Sequence, residues 1–231
     1  MLPVSAWAYR PFVSTDAAVA DPREVEIELG YFNLAHTGGT NTITTPGMVL
    51  NYGVVKNLEL VGEFRLDVSP GVDVTDPALS LKGVVKEGVL QDKQGLSVAV
   101  EGGLLLPSTV TGERGVGFET VGIVSGKLGP VMAHVNGGGG LDRGGSLVDV
   151  WGVIGEVPVH EKLRVVAEVN GESIEGLPPN NSALIGVIWQ PTSRNLSFDA
   201  GVRRGLSTAA PDWQFTVGLT LGFSLLPGGG R

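Results

Sequence analysis

Residues 57–68 read NLELVGEFRLDV, an alternation of apolar and polar side chains that runs through the whole segment. Leucine and phenylalanine dominate the even-numbered positions, whereas Glu59, Glu63 and Arg65 share the opposite face. Successive side chains of a β-strand point to opposite faces, while an α-helix would scatter the same residues around its circumference. The segment therefore predicts a β-strand with one apolar face and one charged face.

The same period-two pattern recurs along the rest of the chain. Four more segments show it clearly, at residues 24–31, 163–170, 196–203 and 213–224. Weaker versions fill the intervals between them, at residues 44–52, 78–86, 96–105, 117–125, 131–137, 147–155 and 182–189. These twelve segments have about the length of a tilted membrane-spanning strand, which needs roughly 9–11 residues.

The composition agrees with a membrane barrel. Among 231 residues, 42% are hydrophobic and only 17% are charged, and the mean hydropathy is +0.20. The longest apolar run, residues 183–189, is far shorter than the ~20 residues of a spanning helix, so a closed barrel is the membrane structure that remains. The absence of cysteine excludes a disulfide scaffold and a thiolate metal site, and the net charge of −8 argues against nucleic acid as a partner.

The connections between the predicted strands alternate in character. One set is compact and carries lysine or arginine, as in GKLGPV at residues 126–131, whereas the other set is richer in Gly, Asn, Asp, Ser and Thr. This alternation predicts an all-β fold, a transmembrane up-and-down antiparallel β-barrel of about twelve strands, with short turns and both termini on the periplasmic rim. We expect none of the loops to be long enough to form a plug.

The apolar strand faces carry no charge, which suits contact with outer-membrane lipid. A lysine or arginine facing lipid at mid-depth would cost roughly 2–4 kcal/mol, so its absence is informative. A soluble sandwich or a lipocalin-like barrel with its apolar face inward would show the same periodicity. The even number of strands, the regular hairpins and the low charge favour the membrane barrel.

We predict four regions along the chain. Residues 1–8 contain the small-x-small form of a signal-peptidase site, Ala6-Trp7-Ala8, and are interpreted as the remainder of a secretory leader, although such a motif also arises by chance. Residues 9–23 are predicted to form an N-terminal periplasmic segment. Residues 24–224 form a single barrel domain, and residues 225–231 form a C-terminal tail.

Several segments resemble one family of outer-membrane proteins. They are RPFVSTDAAVADPREVEIELGYF (residues 10–32), NYGVVKNLELVGEF (51–64), GLSVAVEGGLLLPS (95–108) and KLGPVMAHVNGG (127–138). They are similar to predicted outer-membrane transporters labelled "MetA-pathway of phenol degradation". The resemblance implies a barrel in the outer membrane of a Gram-negative cell, with a role in the uptake of small compounds, including aromatic or hydrophobic ones.

The last predicted strand, WQFTVGLTLGF at residues 213–223, resembles the C-terminal signal that the barrel-assembly machinery recognises, with Phe223 as its aromatic terminus. The resemblance implies this machinery as a partner, together with outer-membrane lipid and a small-molecule solute. The sequence departs from the signal by continuing through SLLPGGGR, so the strand either ends at Phe223 or runs on to Leu225.

If the apolar faces point outward, the charged faces line the lumen. The predicted pore-lining and substrate-contacting residues are Glu59, Glu63, Arg65, Lys82, Glu101, His134, Asp149, Arg164, Glu168, Asp199 and Arg203. Neighbouring strands pair, so Glu59, Glu63 and Arg65 are expected to face Lys82. The primary role that we expect is structural, with opposite charges bracing the barrel. The alternative is a narrow polar conduit whose acidic excess disfavours anions.

Catalytic chemistry has little support in the sequence. The three histidines, His36, His134 and His160, are scattered and predict no metal site, and we expect no cofactor and no catalytic residue. His134 falls on the lumenal face, where it could serve as a base for Ser125 or Ser146. Three functions follow: a passive channel or transporter, a closed structural barrel, and, least supported, a lipid-active hydrolase that depends on His134.

Overall fold

The computed structural model describes residues 10–107, 114–191 and 195–225. Within these residues twelve antiparallel strands form one closed barrel, in which each strand pairs with its sequence neighbours and β1 pairs with β12. The strands β1 to β12 are Glu24–Thr37, Thr40–Val55, Leu58–Ser69, Asp73–Lys86, Ser97–Leu105, Gly117–Leu128, Val131–Leu141, Leu147–His160, Leu163–Ile174, Asn180–Trp189, Leu196–Gly205 and Trp213–Ser224. The predicted up-and-down barrel is confirmed.

The two rims differ as predicted. Strand β1 begins and β12 ends at the periplasmic rim, where several strands are joined by two-residue turns, as at residues 129–130 and 161–162. A single 3₁₀ turn, Val89–Gln91, lies in the longer connection between β4 and β5. The opposite rim carries longer polar loops, such as residues 206–212. The described residues contain no helix that is long and apolar enough to cross a membrane.

One expected loop is instead a tight hairpin. The polar segment around residues 36–41 was predicted to connect two shorter strands, but β1 and β2 continue into it and leave only Gly38 and Gly39 between them. Both glycines have positive φ, 54° and 87°. A two-residue hairpin needs this left-handed backbone, which glycine adopts without strain, so the Gly-Gly pair lets the strands extend.

The outer face of the barrel is apolar. Outward side chains at mid-wall, such as Ile185, Leu81 and Val135, are 64%, 52% and 51% exposed in the isolated chain. The buried side chains, by contrast, include many polar ones that point into the lumen, such as Glu168 and His134, each 1% exposed. This arrangement is that of a membrane-spanning barrel, and it rules out the alternative of a soluble barrel with an apolar interior.

Residues 10–21 lie inside the barrel, and we call them the inner segment. Its main-chain N–H groups donate hydrogen bonds to Glu59 of β3, Ser125 of β6, Asn136 of β7 and Glu168 of β9. In a closed barrel, only the lumen lies within hydrogen-bond distance of inward side chains on strands so far apart.

Residues 10–21 of the predicted periplasmic segment, residues 9–23, are therefore placed in the lumen, which corrects our expectation. The reason is that the inward polar side chains supply acceptors for an extended backbone that would otherwise be hydrated. The N-terminal segment fills the role of a plug.

The other predicted boundaries are only partly covered by the described residues. Strand β12 continues through Phe223 and ends at Ser224, and the N–H of Leu225 donates a 3.0 Å hydrogen bond to the carbonyl of Arg23. The predicted leader, residues 1–8, and residues 226–231 of the predicted tail lie outside the described residues.

The wall is most irregular in one sector, although β4 and β8 each show one further register shift near the periplasmic rim and β8 contains Pro158. The pairing register shifts between Leu29 and Phe32 in β1, between Thr44 and Gly47 in β2, and between Glu63 and Arg65 in β3. Strands β2 and β4 also contain prolines, which cannot donate to the hydrogen-bond ladder. The β1–β4 sector therefore has fewer regular inter-strand bonds than the uninterrupted β9–β10 and β10–β11 pairings.

Candidate functional site: the barrel lumen

Ten of the eleven predicted lumenal side chains occupy inward positions. They are Glu59, Glu63, Arg65, Lys82, Glu101, His134, Arg164, Glu168, Asp199 and Arg203. Glu59 is the direct cross-strand partner of Lys82, as expected, whereas Glu63 and Arg65 pair with Ala78 and Thr75 farther from the periplasmic rim.

Asp149 is the exception, and its predicted lumenal position is wrong. Its neighbour Val148 is buried inside the barrel, so Asp149 shares the outward face with Trp151. Both faces of β8 are largely apolar, so the sequence does not show which of the two faces points into the lumen. Asp149 is the third residue from the loop-side end of β8, where the outward face lies near the membrane surface and a charge costs little.

The periplasmic half of the lumen is sealed around its full circumference. On each strand at least one inward side chain there is buried. From β1 to β12 they are Glu26, Asn51, Glu59, Lys82, Ala99, Ser125, His134, Glu156, Glu168, Leu184, Asp199 and Thr220. Side chains lining an open aqueous pore would be exposed. The inner segment covers them, and its own Ala17 and Ala18 are 0% and 4% exposed.

Ion pairs hold the inner segment at two points. Arg10 approaches Asp199 of β11, with 3.4 Å between Nε and Oδ2, and its Nη2 donates to Thr216 Oγ1 at 2.7 Å. Lys82 of β4 lies 3.7 Å from Asp16 Oδ1 and 3.6 Å from Glu59 Oε1. These pairs are buried, so loss of one partner would leave a charge without compensation.

Lumenal side chains also bind the main chain of the inner segment. Carboxylate, amide and hydroxyl oxygens accept its N–H groups: Ser14 to Glu168 (2.8 Å), Val13 to Glu168 (3.1 Å), Thr15 to Asn136 (3.0 Å), Ala17 to Ser125 (2.9 Å) and Ala20 to Glu59 (2.7 Å). Asn136 donates in return to the Thr15 carbonyl at 2.8 Å, and Gln91 donates to the Ala17 carbonyl at 2.9 Å. The inner segment is therefore held largely through its backbone.

Inward glycines make room for the inner segment. A Cβ atom on Gly30 or Gly218 would meet the Arg10 side chain, and one on Gly53 would meet the carbonyl oxygens of Ala20 and Asp21. Likewise, a Cβ on Gly152 would meet the Ser14 hydroxyl. We call these four residues, Gly30, Gly53, Gly152 and Gly218, the glycine groove.

Apolar contacts complete the fit at both ends of the inner segment. Ala17 and Ala18 pack with Leu90, Ala99 and Ile123 in one buried cluster. Near the other end, Phe12 packs against a second cluster, which consists of Val166, Leu184 and Ile188. These inward apolar residues interrupt the polar lumen where the inner segment presents its own apolar side chains.

Ser125, His134 and Glu156 lie in a line along the inner wall. Ser125 Oγ lies 2.8 Å from His134 Nδ1, and His134 Nε2 lies 3.3 Å from Glu156 Oε1. The order resembles that of a nucleophile, a base and an orienting acid. Ser125, however, is 0% exposed and accepts the N–H of Ala17, so the inner segment blocks its approach to a substrate.

The sequence left Ser125 and Ser146 as alternative partners of His134, although the hairpin register already distinguishes them. Ser125 and His134 are equidistant from the turn at residues 129–130, which makes them direct partners in the β6–β7 hairpin. The role that the structure shows for Ser125 is to anchor the inner segment. Arg164 Nη1 lies 2.8 Å from Glu156 Oε2 at the periplasmic end of this line.

The loop-side half of the lumen is different, and we call it the outer vestibule. Glu63 and Arg65 are exposed there, and Glu119 lies within electrostatic range of Glu63, Glu101 and Glu172. Arg65 and Arg143 both pair with Asp76, at 3.3 and 3.5 Å. Without Glu101, which is the cross-strand partner of Lys82, four carboxylates therefore face two arginines. No group of three or more His, Asp or Glu side chains in the described ranges is arranged to hold a metal ion.

Comparison with solved structures supports the barrel assignment. The outer-membrane channel COG4313 from Pseudomonas putida F1 matches with a TM-score of 0.64 and 11% identity, over 89% of this chain and 97% of that chain. This chain has the fold of an outer-membrane channel. The matched protein belongs to the family that the sequence segments resemble. Together with the apolar exterior, the match identifies an outer-membrane β-barrel.

Weaker structural matches are to OmpT, an outer-membrane protein of Vibrio cholerae. Its in-vitro folded trimer form gives a TM-score of 0.45 at 12% identity, over 87% of this chain and 98% of that chain. A loop-deletion mutant of the same protein gives 0.43 at 14% identity, over 87% and 97%. No protein-family model matches the chain, and no curated protein matches its sequence.

Proposed function

We propose that this barrel is a passive channel or transporter for small solutes, which enter through the outer vestibule. The observation that carries the proposal is the charged, water-accessible outer vestibule. Beyond it the lumen is closed by one short segment, the inner segment, and not by a packed core. The structural match to a protein described as an outer-membrane channel supports the same function. A barrel with only a structural role would not need an accessible charged cavity.

The charge of the vestibule favours cations and neutral solutes over anions. Its acidic side chains, Glu63, Asp76, Glu119 and Glu172, outnumber Arg65 and Arg143. A cleft lined by one sign of charge within low-dielectric walls concentrates ions of the opposite sign. Val13 of the inner segment is 62% exposed and adds an apolar contact. Small aromatic or hydrophobic compounds without negative charge are therefore the solutes that we propose.

Passage requires a change in the sealed band. The direct route is release of the inner segment, whose anchors are ion pairs and hydrogen bonds that could exchange with water. A second route leads sideways through the wall, and the register shifts of β1, β2 and β3 favour it because they leave the β1–β4 sector with fewer inter-strand bonds. The direct route predicts ionic current, whereas the sideways route predicts transfer of apolar solutes to lipid without current.

Planar-bilayer conductance of the detergent-refolded protein tests the proposal. We expect stepwise currents that change when Glu63→Gln and Arg65→Gln are introduced together, and that become more frequent in an Asp16→Asn variant with a weakened Lys82 contact. Asp149→Asn, on the outer face, is the matched control and should leave the current unchanged. Silence of all these variants, with heat-modifiable migration showing that they are folded, would contradict the direct route.

The alternatives give different results. A closed structural barrel predicts neither current nor transfer of apolar solutes, and a lipid-active hydrolase predicts ester hydrolysis that is lost in His134→Ala. We also propose that the barrel-assembly machinery recognises the β12 strand near Phe223. Deletion of residues 225–231 should then preserve assembly, whereas Phe223→Asp should reduce the amount of folded barrel in the outer membrane.

A further inference from the structure

We propose that the glycine groove is a binding site for an extended peptide, which the inner segment fills in cis and which a peptide segment of another chain can fill in trans. This inference goes beyond the channel proposal and does not depend on conduction. It rests on three features of the described residues: a groove of inward glycines, side chains that bind a backbone, and a set of side-chain positions that define the ligand.

The groove is built for a polypeptide backbone. Four inward glycines, on β1, β2, β8 and β12, leave space where a Cβ atom would meet the inner segment. Five main-chain N–H groups of the inner segment donate to lumenal side chains, and two of its carbonyls accept from Asn136 and Gln91. These bonds do not depend on the side chains of the ligand, so they fit any extended peptide.

Side-chain contacts add selectivity at a few positions. Arg10 inserts between Gly30 and Gly218 and contacts Asp199 and Thr216. Asp16, six residues after Arg10, contacts Lys82. Phe12 and the pair of alanines after Asp16 pack into the two apolar clusters. The ligand that fits is an extended peptide with a cationic residue, an aromatic residue two positions later, and an acidic residue followed by two small residues.

The entrance for such a peptide lies at the periplasmic rim. Asp21, Pro22 and Arg23 join the inner segment to β1 and are exposed. A cut there would convert the inner segment into a separate peptide while leaving every contact of the groove in place. Cleavage after refolding means that the binding measurement starts from the full-length, folded barrel and does not require a truncated chain to fold.

The experiment introduces a protease site between Asp21 and Arg23, and the protein is cleaved after refolding. A fluorescent peptide with the sequence of residues 10–21, labelled at its exposed Asp21 end, is then added and its binding is measured by anisotropy. We expect the labelled peptide to replace the cleaved inner segment in the groove. Arg10→Ala or Asp16→Ala in the peptide should raise the dissociation constant at least tenfold, whereas Val13→Thr, at an exposed position, should change it less than twofold.

Two results would overturn the proposal: no uptake of the labelled peptide by the cleaved barrel, or equal uptake of a peptide with the reversed sequence. Heat-modifiable migration on a denaturing gel establishes that the cleaved barrel remains folded. Because the readout is binding, failure of peptide exchange is distinguishable from failure of the channel proposal, which is read as current. In the uncleaved protein we expect at least tenfold less uptake, since the inner segment already occupies the groove.

Discussion

Arg203 of β11 and Glu168 of β9 form an ion pair of 2.5 Å across the inner face of the intervening strand β10. Glu168 also accepts the N–H groups of Val13 and Ser14, so one carboxylate joins two strands to the inner segment. The side chains of Arg203 and Glu168 are 6% and 0% exposed. The same charged residues that brace the wall therefore also hold the inner segment in the lumen.

We expect Glu168→Gln to destabilise the barrel by about 3–5 kcal/mol, because it leaves the buried Arg203 charge without its carboxylate, although Asn170 and Ser182 still accept hydrogen bonds from it. The measurement is the free energy of unfolding in urea, followed by tryptophan fluorescence in lipid vesicles. Glu63→Gln removes an exposed carboxylate from the same lumen and should cost under about 1 kcal/mol. If the free energy of unfolding fell equally in the two variants, the buried Glu168–Arg203 pair would stabilise the barrel no more than an exposed carboxylate does. Adding Arg203→Met to Glu168→Gln should restore part of the lost stability.

The vestibule carboxylates are expected to set ion selectivity. Glu63→Gln, Glu119→Gln and Glu172→Gln together should lower the ratio of cation to anion permeability, because they remove three negative charges from a low-dielectric cavity. Reversal potentials in a potassium chloride gradient measure this ratio. Asp149→Asn changes the net charge on the outer face and is the control. The expectation fails if the ratio is the same in the triple variant and in the wild type.

Ser125 should not react as a nucleophile in the folded barrel. The wild-type protein is expected to resist labelling by a fluorophosphonate probe, because the inner segment covers the Ser125 hydroxyl. Labelling is read by mass spectrometry, with unfolded protein as the background. Labelling of the folded protein that disappears in both Ser125→Ala and His134→Ala would support the hydrolase instead.

Lipid contact at mid-wall is tested on β10. Ile185 is 64% exposed near the middle of its strand, and we expect Ile185→Lys to cost roughly 2–4 kcal/mol of folding free energy in a bilayer. Leu147→Lys lies at the loop-side end of β8, where the cost should fall to about 0–1 kcal/mol. Urea unfolding in vesicles measures both values. Equal costs would contradict the assignment of the apolar band.

A pH effect is expected at the periplasmic rim. Hydrogen bonds from Lys56, Lys93 and Asn57 lower the pKa of Glu87 to about 2. Because this pKa is below the ordinary 4.5, the Glu87 contribution to stability is fully present above pH 4.5 and is lost as the pH falls toward 2. The difference in urea midpoint between wild type and Glu87→Gln should therefore shrink over this interval. A constant difference would assign the effect to packing instead of charge.

The sequence led to wrong placements for Asp149 and for the inner segment. Asp149 was misplaced because both faces of β8 are largely apolar, so its charge alone was used to assign it to the lumenal face. Near the rim a charged side chain can also face outward, and Asp149 does so. The inner segment was placed in the periplasm because RPFVSTDAAVAD shows no periodicity that a reader could assign to a lumen. Ser125 and His134, by contrast, could have been paired by counting outward from their turn.

The sequence by itself determined the twelve strands, their apolar and charged faces, and the two kinds of rim. These are local properties: the alternation has a period of two residues, and each hairpin joins strands that are adjacent in the chain. Only the tertiary structure decided where the inner segment lies. Its hydrogen bonds to the wall join residues 39 to 206 positions apart, as in Ala20 with Glu59 and Arg10 with Thr216, and the full set exists only after β1 has paired with β12. Most use main-chain N–H groups, which all residues but proline possess, so no local sequence pattern encodes them.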